Sequence, residues 1–215
     1  MKLYELSINE FLQRVDSQTP TPGGGSVSAL AIAQGISLIR MVGHLSIPKK
    51  KFIELSEDIK LDYMSRISSL DEIKLYVLEL IEKDTNAFNQ IMEAFRLPTV
   101  TDEEKKFKVE QINRATIHAT DVPLETAKYA LKSLELAEPT FLYANKTATS
   151  DFGVGITMIY AGLKGAILNV KTNMHEYSDH ELAKKYYDEV KLIEEKATNI
   201  FLKLEEAVNF EFSFK

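Results

Sequence analysis

The chain has 215 residues, 45% hydrophobic and 27% charged, with a net charge of −6; this suits one packed domain with a solvated surface. An acidic balance argues against a general nucleic-acid binder, which needs a basic face to displace counterions from phosphates. Cysteine is absent, which excludes disulfides, thiolate catalysis and Cys-based zinc sites. The histidines (His44, His118, His175, His180) lack metal-ligand spacing, so no metal site is predicted.

The opening MKLYELSINEF has no apolar signal core, and a cytoplasmic location is expected. Between the prolines at 20, 22, 48, 98, 123 and 139 the chain reads as helix nearly throughout. Six segments are predicted, at 7–16, 26–46, about 52–97, 101–137, 150–173 and 178–208. Capping boxes mark three starts, Ser7…Glu10, Thr101…Glu104 and Ser178…Glu181. Ser26 and Ser150 are read as N-caps of the second and fifth segments. Pro123 should kink the fourth, with Thr120-Asp121 placed to cap a restart. No stretch alternates with period two, so no sheet is predicted. The fold class is all-α: residues 1–215 form a single-domain bundle of long antiparallel helices, with a Gly-rich loop before a central buried helix. Segment 26–46 is apolar nearly all round, but Gln34, Arg40 and His44 interrupt it, and a core helix rather than a membrane span is expected.

All nine glycines lie in two windows, 23–43 and 153–165. A glycine inside a helix costs about 1 kcal/mol relative to alanine, so close backbone approach must offset several of them. Segments 26–46 and 150–173 should therefore touch, and together line something. Positions 20–26 read PTPGGGS. A Gly-rich turn at a helix mouth exposes N–H groups that can hold an anion or a polar ring edge; a plain capped turn fits the same residues. Asp84 falls within the apolar stripe Leu70, Ile73, Val77, Leu80, Ile81, Ala87, Phe88, Ile91, Phe95. A carboxylate on a buried face is costly unless paired, and its pKa is open to shifts of the kind acid–base chemistry uses; at the edge of the stripe it would simply reach water. Asp151 sits in the first turn of its helix, where negative charge is favoured in any case. Asn169 and Asn173 end a small-residue face and suit either a polar ring edge or interhelical hydrogen bonds. Lys146, Lys164 and Lys171 flank the same region.

Taken together, Pro20-Thr21-Pro22-Gly23-Gly24-Gly25-Ser26, Asp84-Thr85-Asn86-Ala87-Phe88, Val122-Pro123-Leu124-Glu125-Thr126-Ala127 and Asn145 with Ser150-Asp151-Phe152-Gly153-Val154-Gly155 resemble, in order, the motifs of the cyclodeaminase/cyclohydrolase family. The resemblance covers about residues 5–205. It departs at Ala144, where the family commonly has glycine, at Phe152, where it often has alanine, and at Lys171, where an arginine is usual; lysine keeps the charge but loses bidentate geometry.

The resemblance implies an all-α homodimer that binds a tetrahydrofolate derivative, possibly polyglutamylated, in a cleft near the subunit interface. It implies no cofactor beyond that substrate, no membrane, and possibly a separate formiminotransferase as partner. Carried onto this sequence, the catalytic residues are Asp84 and, second, Asp151. The substrate-binding residues are Pro22, Gly23, Gly24, Gly25, Ser26, Phe88, Asn145, Ser150, Gly153, Asn169 and Lys171. Glycines 23–25 would let backbone approach the flat ring, and the lysines would meet the anionic glutamate tail. The expected reaction is cyclisation of 5-formiminotetrahydrofolate to 5,10-methenyltetrahydrofolate with release of ammonia. The alternatives are water addition to methenyltetrahydrofolate, giving 10-formyltetrahydrofolate, and a non-catalytic folate-binding helical dimer.

Overall fold

Side-chain caps open three of the seven helices in this computed structural model, which describes residues 1–213. Seven helices run in order: α1 Ile8–Val15, α2 Gly24–Ser46, α3 Lys50–Ile53, α4 Glu57–Phe95, α5 Asp102–Ala137, α6 Thr149–Met174 and α7 His180–Glu211. No strand occurs among the described residues. Ser7 and Thr101 cap α1 and α5, each forming a reciprocal box with a glutamate three residues on. At α7 the expected Ser178 box gives way to Asp179, whose carboxylate accepts the Leu182 N–H at 2.9 Å. The third segment divides into the single turn α3 and the long α4. The stretch 138–149, expected as loop, contains two 3₁₀ turns, Glu138–Tyr143 and Lys146–Ala148.

Pro123 lies inside α5, and the helix continues without a restart. A proline at 123 leaves the carbonyl four residues back without its helical N–H. That carbonyl, of Ala119, accepts instead from Asn173 Nδ2 of α6 at 2.8 Å. Thr120 and Asp121 are therefore not caps: the Thr120 hydroxyl donates to the Thr116 carbonyl, and Asp121 accepts from the Tyr186 hydroxyl of α7.

α2 and α6 make the most extensive helix pair, antiparallel, and the glycines explain how. A Cβ on Gly35 would stand 2.5 Å from the Gly155 carbonyl oxygen, and one on Gly162 would stand 2.6 Å from the Ser28 carbonyl oxygen. Backbone meets backbone at both positions, which recovers in contact what the glycines lose in helix propensity. α4 packs on α2, α5 on α4 and α6, and α7 on α6 and α5. The core joins Ile32, Ile36 and Ile39 of α2 to Leu70, Leu80 and Ile81 of α4 and to Ile156, Ile159 and Leu163 of α6, all essentially inaccessible.

α2 is not buried all round. Val27, Met41 and Leu45 are exposed on the side turned away from α4, and α6 shows Val154, Ala161 and Leu168 on the same side of the bundle. Both helices are long and apolar enough to cross a membrane, by length and composition alone, with about half of each window buried in the bundle.

Candidate active site

The start of α2 differs from its expected form, and the difference builds the site. Gly23, not Ser26, is the N-cap; it has extended backbone and no side chain to offer. The first-turn N–H groups of a helix need outside partners. The Asp84 carboxylate of α4 stands against this turn and accepts from the hydroxyl of Ser26 at 2.9 Å. Ser26 is fully buried. Its hydroxyl also reaches the Ile81 carbonyl at 3.0 Å and lies 3.3 Å from Thr85 Oγ1.

Gly25 is what lets the carboxylate in. A Cβ there would stand 2.5 Å from Asp84 Cγ and 2.8 Å from Oδ2. No glycine in the chain has positive φ, so the triplet serves close approach rather than an unusual backbone conformation. The expectation that glycines 23–25 open space for a flat ring is corrected at Gly25, where the neighbour is Asp84. Gly24 faces the Asn169 side chain of α6, and Gly23 lies against the Pro20 carbonyl. The Asn169 amide nitrogen donates to the Gly165 carbonyl at 2.9 Å. The Thr21–Pro22 peptide is cis.

Asp84 is half-buried, and burial pushes its carboxyl above the ordinary aspartate range, against the opposing pull of Ser26. Phe88 stands one turn further along α4, also half-buried. Beside the cluster opens a cavity of about 580 Å³, walled by Leu3, Arg14, Thr21, Pro22, Glu82 and Thr85. The Leu3 N–H donates to Glu82, tying the N-terminal segment to α4. Arg14, Glu82 and Thr85 were not singled out by the sequence reading. Thr85 and Glu82 flank Asp84 on α4 and carry that signal; nothing in the sequence places α1 here.

The remaining candidates lie elsewhere. α2 and α6 are antiparallel, with Asn169 at Gly24, Gly155 at Gly35, and the Asn145 N–H on the Ser46 hydroxyl at 2.8 Å. Asn145, Ser150, Asp151 and Gly153 therefore sit at the far end of the pair. Asp151 and Asn169 are separated by ~27 Å along α6 at 1.5 Å per residue. Ser150 is not an N-cap, because α6 begins at Thr149 after Ala148. Asn145 caps the short turn before it, accepting from the Thr147 N–H. The Gly153 face packs on Val208 of α7.

Lys171 points to α7, where it and Lys164 share Glu194, and Lys146 pairs with Glu211. Lys171 is thus apart from both groups, and Lys164 with it. Asn173 serves Ala119, as described above, rather than a ring edge. Within one chain, Pro22, Gly23, Gly24, Gly25, Ser26, Asp84, Phe88 and Asn169 gather at one end of the α2–α6 pair. Asn145, Ser150, Asp151 and Gly153 gather at the other. No group of three or more His, Asp or Glu side chains placed to hold a metal occurs among the described residues.

Comparison with known proteins agrees with this architecture. The family model described as formiminotransferase-cyclodeaminase matches residues 7–192. The methenyltetrahydrofolate cyclohydrolase of Methylorubrum extorquens is 35% identical over 184 residues, covering 86% of each chain. The formimidoyltransferase-cyclodeaminase of Gallus gallus is 29% identical over 174 residues, covering 81% of this chain but only 31% of that longer protein. The crystal structure of formiminotetrahydrofolate cyclodeaminase from Thermotoga maritima superimposes with a TM-score of 0.85, at 23% identity, over 99% of this chain and all of that one, and shows the same fold. The chain belongs to the formiminotransferase-cyclodeaminase family of folate one-carbon enzymes.

Proposed function

We propose that the chain cyclises 5-formiminotetrahydrofolate to 5,10-methenyltetrahydrofolate with release of ammonia, and that Asp84 is its acid–base group. The observation that carries this is the Asp84 carboxyl, held at the glycine mouth of α2 and made reluctant to ionise by burial. In this reaction N10 attacks the formimino carbon and forms a C–N bond. The N10 proton passes to the former imine nitrogen. One further proton must reach that nitrogen before its bond to carbon breaks and ammonia leaves. The product is a cation, so the reaction consumes one proton overall. A neutral carboxyl suits each step: its carbonyl oxygen accepts while its hydroxyl donates, and it ends as a carboxylate facing the new positive charge. Asn169 orients the ring at the same mouth, Phe88 packs on it, and Ser26 holds the carboxyl in place.

The second group of residues enters from a second copy. The exposed apolar stripes of α2 and α6 face the same way and have no partner within the chain. Covering them with an antiparallel copy about a two-fold axis sets the Asp84 end of each protomer beside the Asn145–Asp151 end of the other, twice over. The homodimer then buries the apolar face and completes two sites at once.

Water addition to the methenyl carbon, giving 10-formyltetrahydrofolate, is the second reading. The observation favouring it is the Methylorubrum extorquens relative, matched over 86% of both chains. Purified protein given 5-formiminotetrahydrofolate distinguishes the two. Ammonia appearing in step with methenyl absorbance is the expected result. No ammonia, with accelerated loss of methenyl absorbance, would replace the first reading by the second.

A further inference from the structure

The Ser26 hydroxyl at the start of α2 has more partners than it can serve at once. A serine hydroxyl carries a single proton and accepts through its lone pairs. Around it stand the Ile81 carbonyl at 3.0 Å, Asp84 Oδ2 at 2.9 Å and Thr85 Oγ1 at 3.3 Å. The carbonyl can only accept, whereas a carboxyl group and the Thr85 hydroxyl can do either. Either protonation state of Asp84 therefore leaves the fully buried Ser26 satisfied. With Asp84 ionised, Ser26 donates to the carboxylate and accepts from Thr85. With Asp84 protonated, the carboxyl donates to Ser26, whose own proton turns to the Ile81 carbonyl. Thr85 is half-buried and lines the cavity of about 580 Å³ beside the cluster. Thr85, Ser26 and Asp84 thus form a row of exchangeable protons leading from the cavity to the carboxyl. The Thr85–Ser26 separation is long for a hydroxyl pair, and hydrogen bonds of an active site commonly tighten only when substrate is bound.

We propose that Thr85 and Ser26 are the relay through which Asp84 exchanges its proton with the cavity after each turnover. The proposal rests on the acid–base role given to Asp84 above, and makes Thr85 a positioning residue that acts through that carboxyl. Cyclisation leaves Asp84 as a carboxylate, and the next turnover needs the proton back. A hydronium ion in the cavity protonates Thr85 Oγ1, the Thr85 proton passes to Ser26 Oγ, and the Ser26 proton passes to Asp84 Oδ2. Each hydroxyl oxygen loses one O–H bond as it gains another, so both end neutral. The net change is one proton moved from solvent to the carboxylate. The new carboxyl O–H then turns from Ser26 to the substrate, and rotation of the Ser26 hydroxyl onto Ile81 resets the row. Run outward, the same row carries away the proton that water addition to a methenyl cation releases, so the relay serves either reaction.

Thr85→Val keeps the shape of the side chain and removes its hydroxyl, while Thr85→Ser keeps a hydroxyl. Stopped-flow absorbance of the methenyl band, with the full-length protein and the folate substrate it turns over, separates the first turnover from those that follow. Thr85→Val should complete the first turnover at the unaltered rate, because Asp84 equilibrates with solvent before mixing. Its later turnovers should slow by about tenfold or more, with a solvent deuterium isotope effect larger than that of the unaltered protein. Thr85→Ser should return both readouts to the unaltered values. Equal slowing of the first and later turnovers in Thr85→Val would mark Thr85 as a packing residue and overturn the relay; so would unslowed turnover throughout. Asp84→Asn in the same assay keeps the two claims apart. An inert Asp84→Asn beside an unslowed Thr85→Val overturns the relay alone. Near-full turnover by Asp84→Asn overturns the relay together with the acid–base reading it serves.

Discussion

Replacing Gly25 with alanine asks whether the glycine triplet exists to seat Asp84. The added Cβ would stand 2.5 Å from Asp84 Cγ, whereas non-bonded carbons settle about 3.5–4.0 Å apart. The carboxyl must retreat by roughly 1 Å, and a displacement of that size at a reacting group costs on the order of 100-fold in rate, or about 2.7 kcal/mol of transition-state stabilisation. Stability should change much less. Loss of the Ser26–Asp84 hydrogen bond removes about 0.5–3 kcal/mol, and alanine returns up to about 1 kcal/mol over glycine in a helix. Gly24→Ala is the matched control, because its Cβ would meet only the Asn169 amide, at 3.4 Å, an ordinary contact. Methenyl formation followed by absorbance, beside thermal unfolding followed by circular dichroism, reads both effects. Gly25→Ala should lose about 100-fold in kcat with a small change in Tm, while Gly24→Ala stays within about threefold of the unaltered protein. Equal, small losses in the two variants would refute the claim that Gly25 is there for Asp84.

The Asp84 carboxyl also makes stability depend on pH. Its folded pKa is raised, so the native state keeps a proton that the unfolded chain has already released; stability falls as pH rises through that interval and stays lower above it. Asp84→Asn should therefore melt higher than the unaltered protein near about pH 8, with the gap closing near about pH 3; a constant gap would contradict the sign. Gly35→Ala forces a methyl onto the Gly155 carbonyl and should cost about 1–3 kcal/mol in denaturant unfolding. Asn173→Leu leaves the Ala119 carbonyl without its donor and should cost about 1–3 kcal/mol, with turnover unchanged once folded. Met41→Glu places a charge on the exposed α2 stripe; light scattering should show a folded monomer, and activity should fall with the dimer.

Helices and their order were legible because periodicity and prolines act locally. Ser7 and Thr101 cap as read, and every segment has its helix within a few residues. The glycine windows correctly announced the α2–α6 contact, since only backbone approach offsets so many helical glycines. Partners distant in sequence were harder to see. Ser26 reads as a cap from its neighbours, yet its hydroxyl donates to Asp84 of α4, which is 58 residues away. For Asn173 the sequence allows a ring edge or an interhelical hydrogen bond, and the carbonyl freed by Pro123 makes it the second. Lys171 was assigned by its place in a motif, but a turn of helix aims it at Glu194. The division of the candidate residues between two ends follows from α2 and α6 running antiparallel, a fact of packing that no single window contains.

The central claim is that Asp84 supplies the acid–base chemistry rather than only capping α2. Single-turnover conversion of 5-formiminotetrahydrofolate by Asp84→Asn, with folate binding measured by calorimetry on the same sample, tests it most directly. Asparagine keeps an acceptor for Ser26, so the account predicts a folded dimer that binds folate with unchanged affinity and turns over about 10²–10⁴-fold more slowly. Near-full turnover with intact binding would contradict it and leave Asp84 as a cap alone.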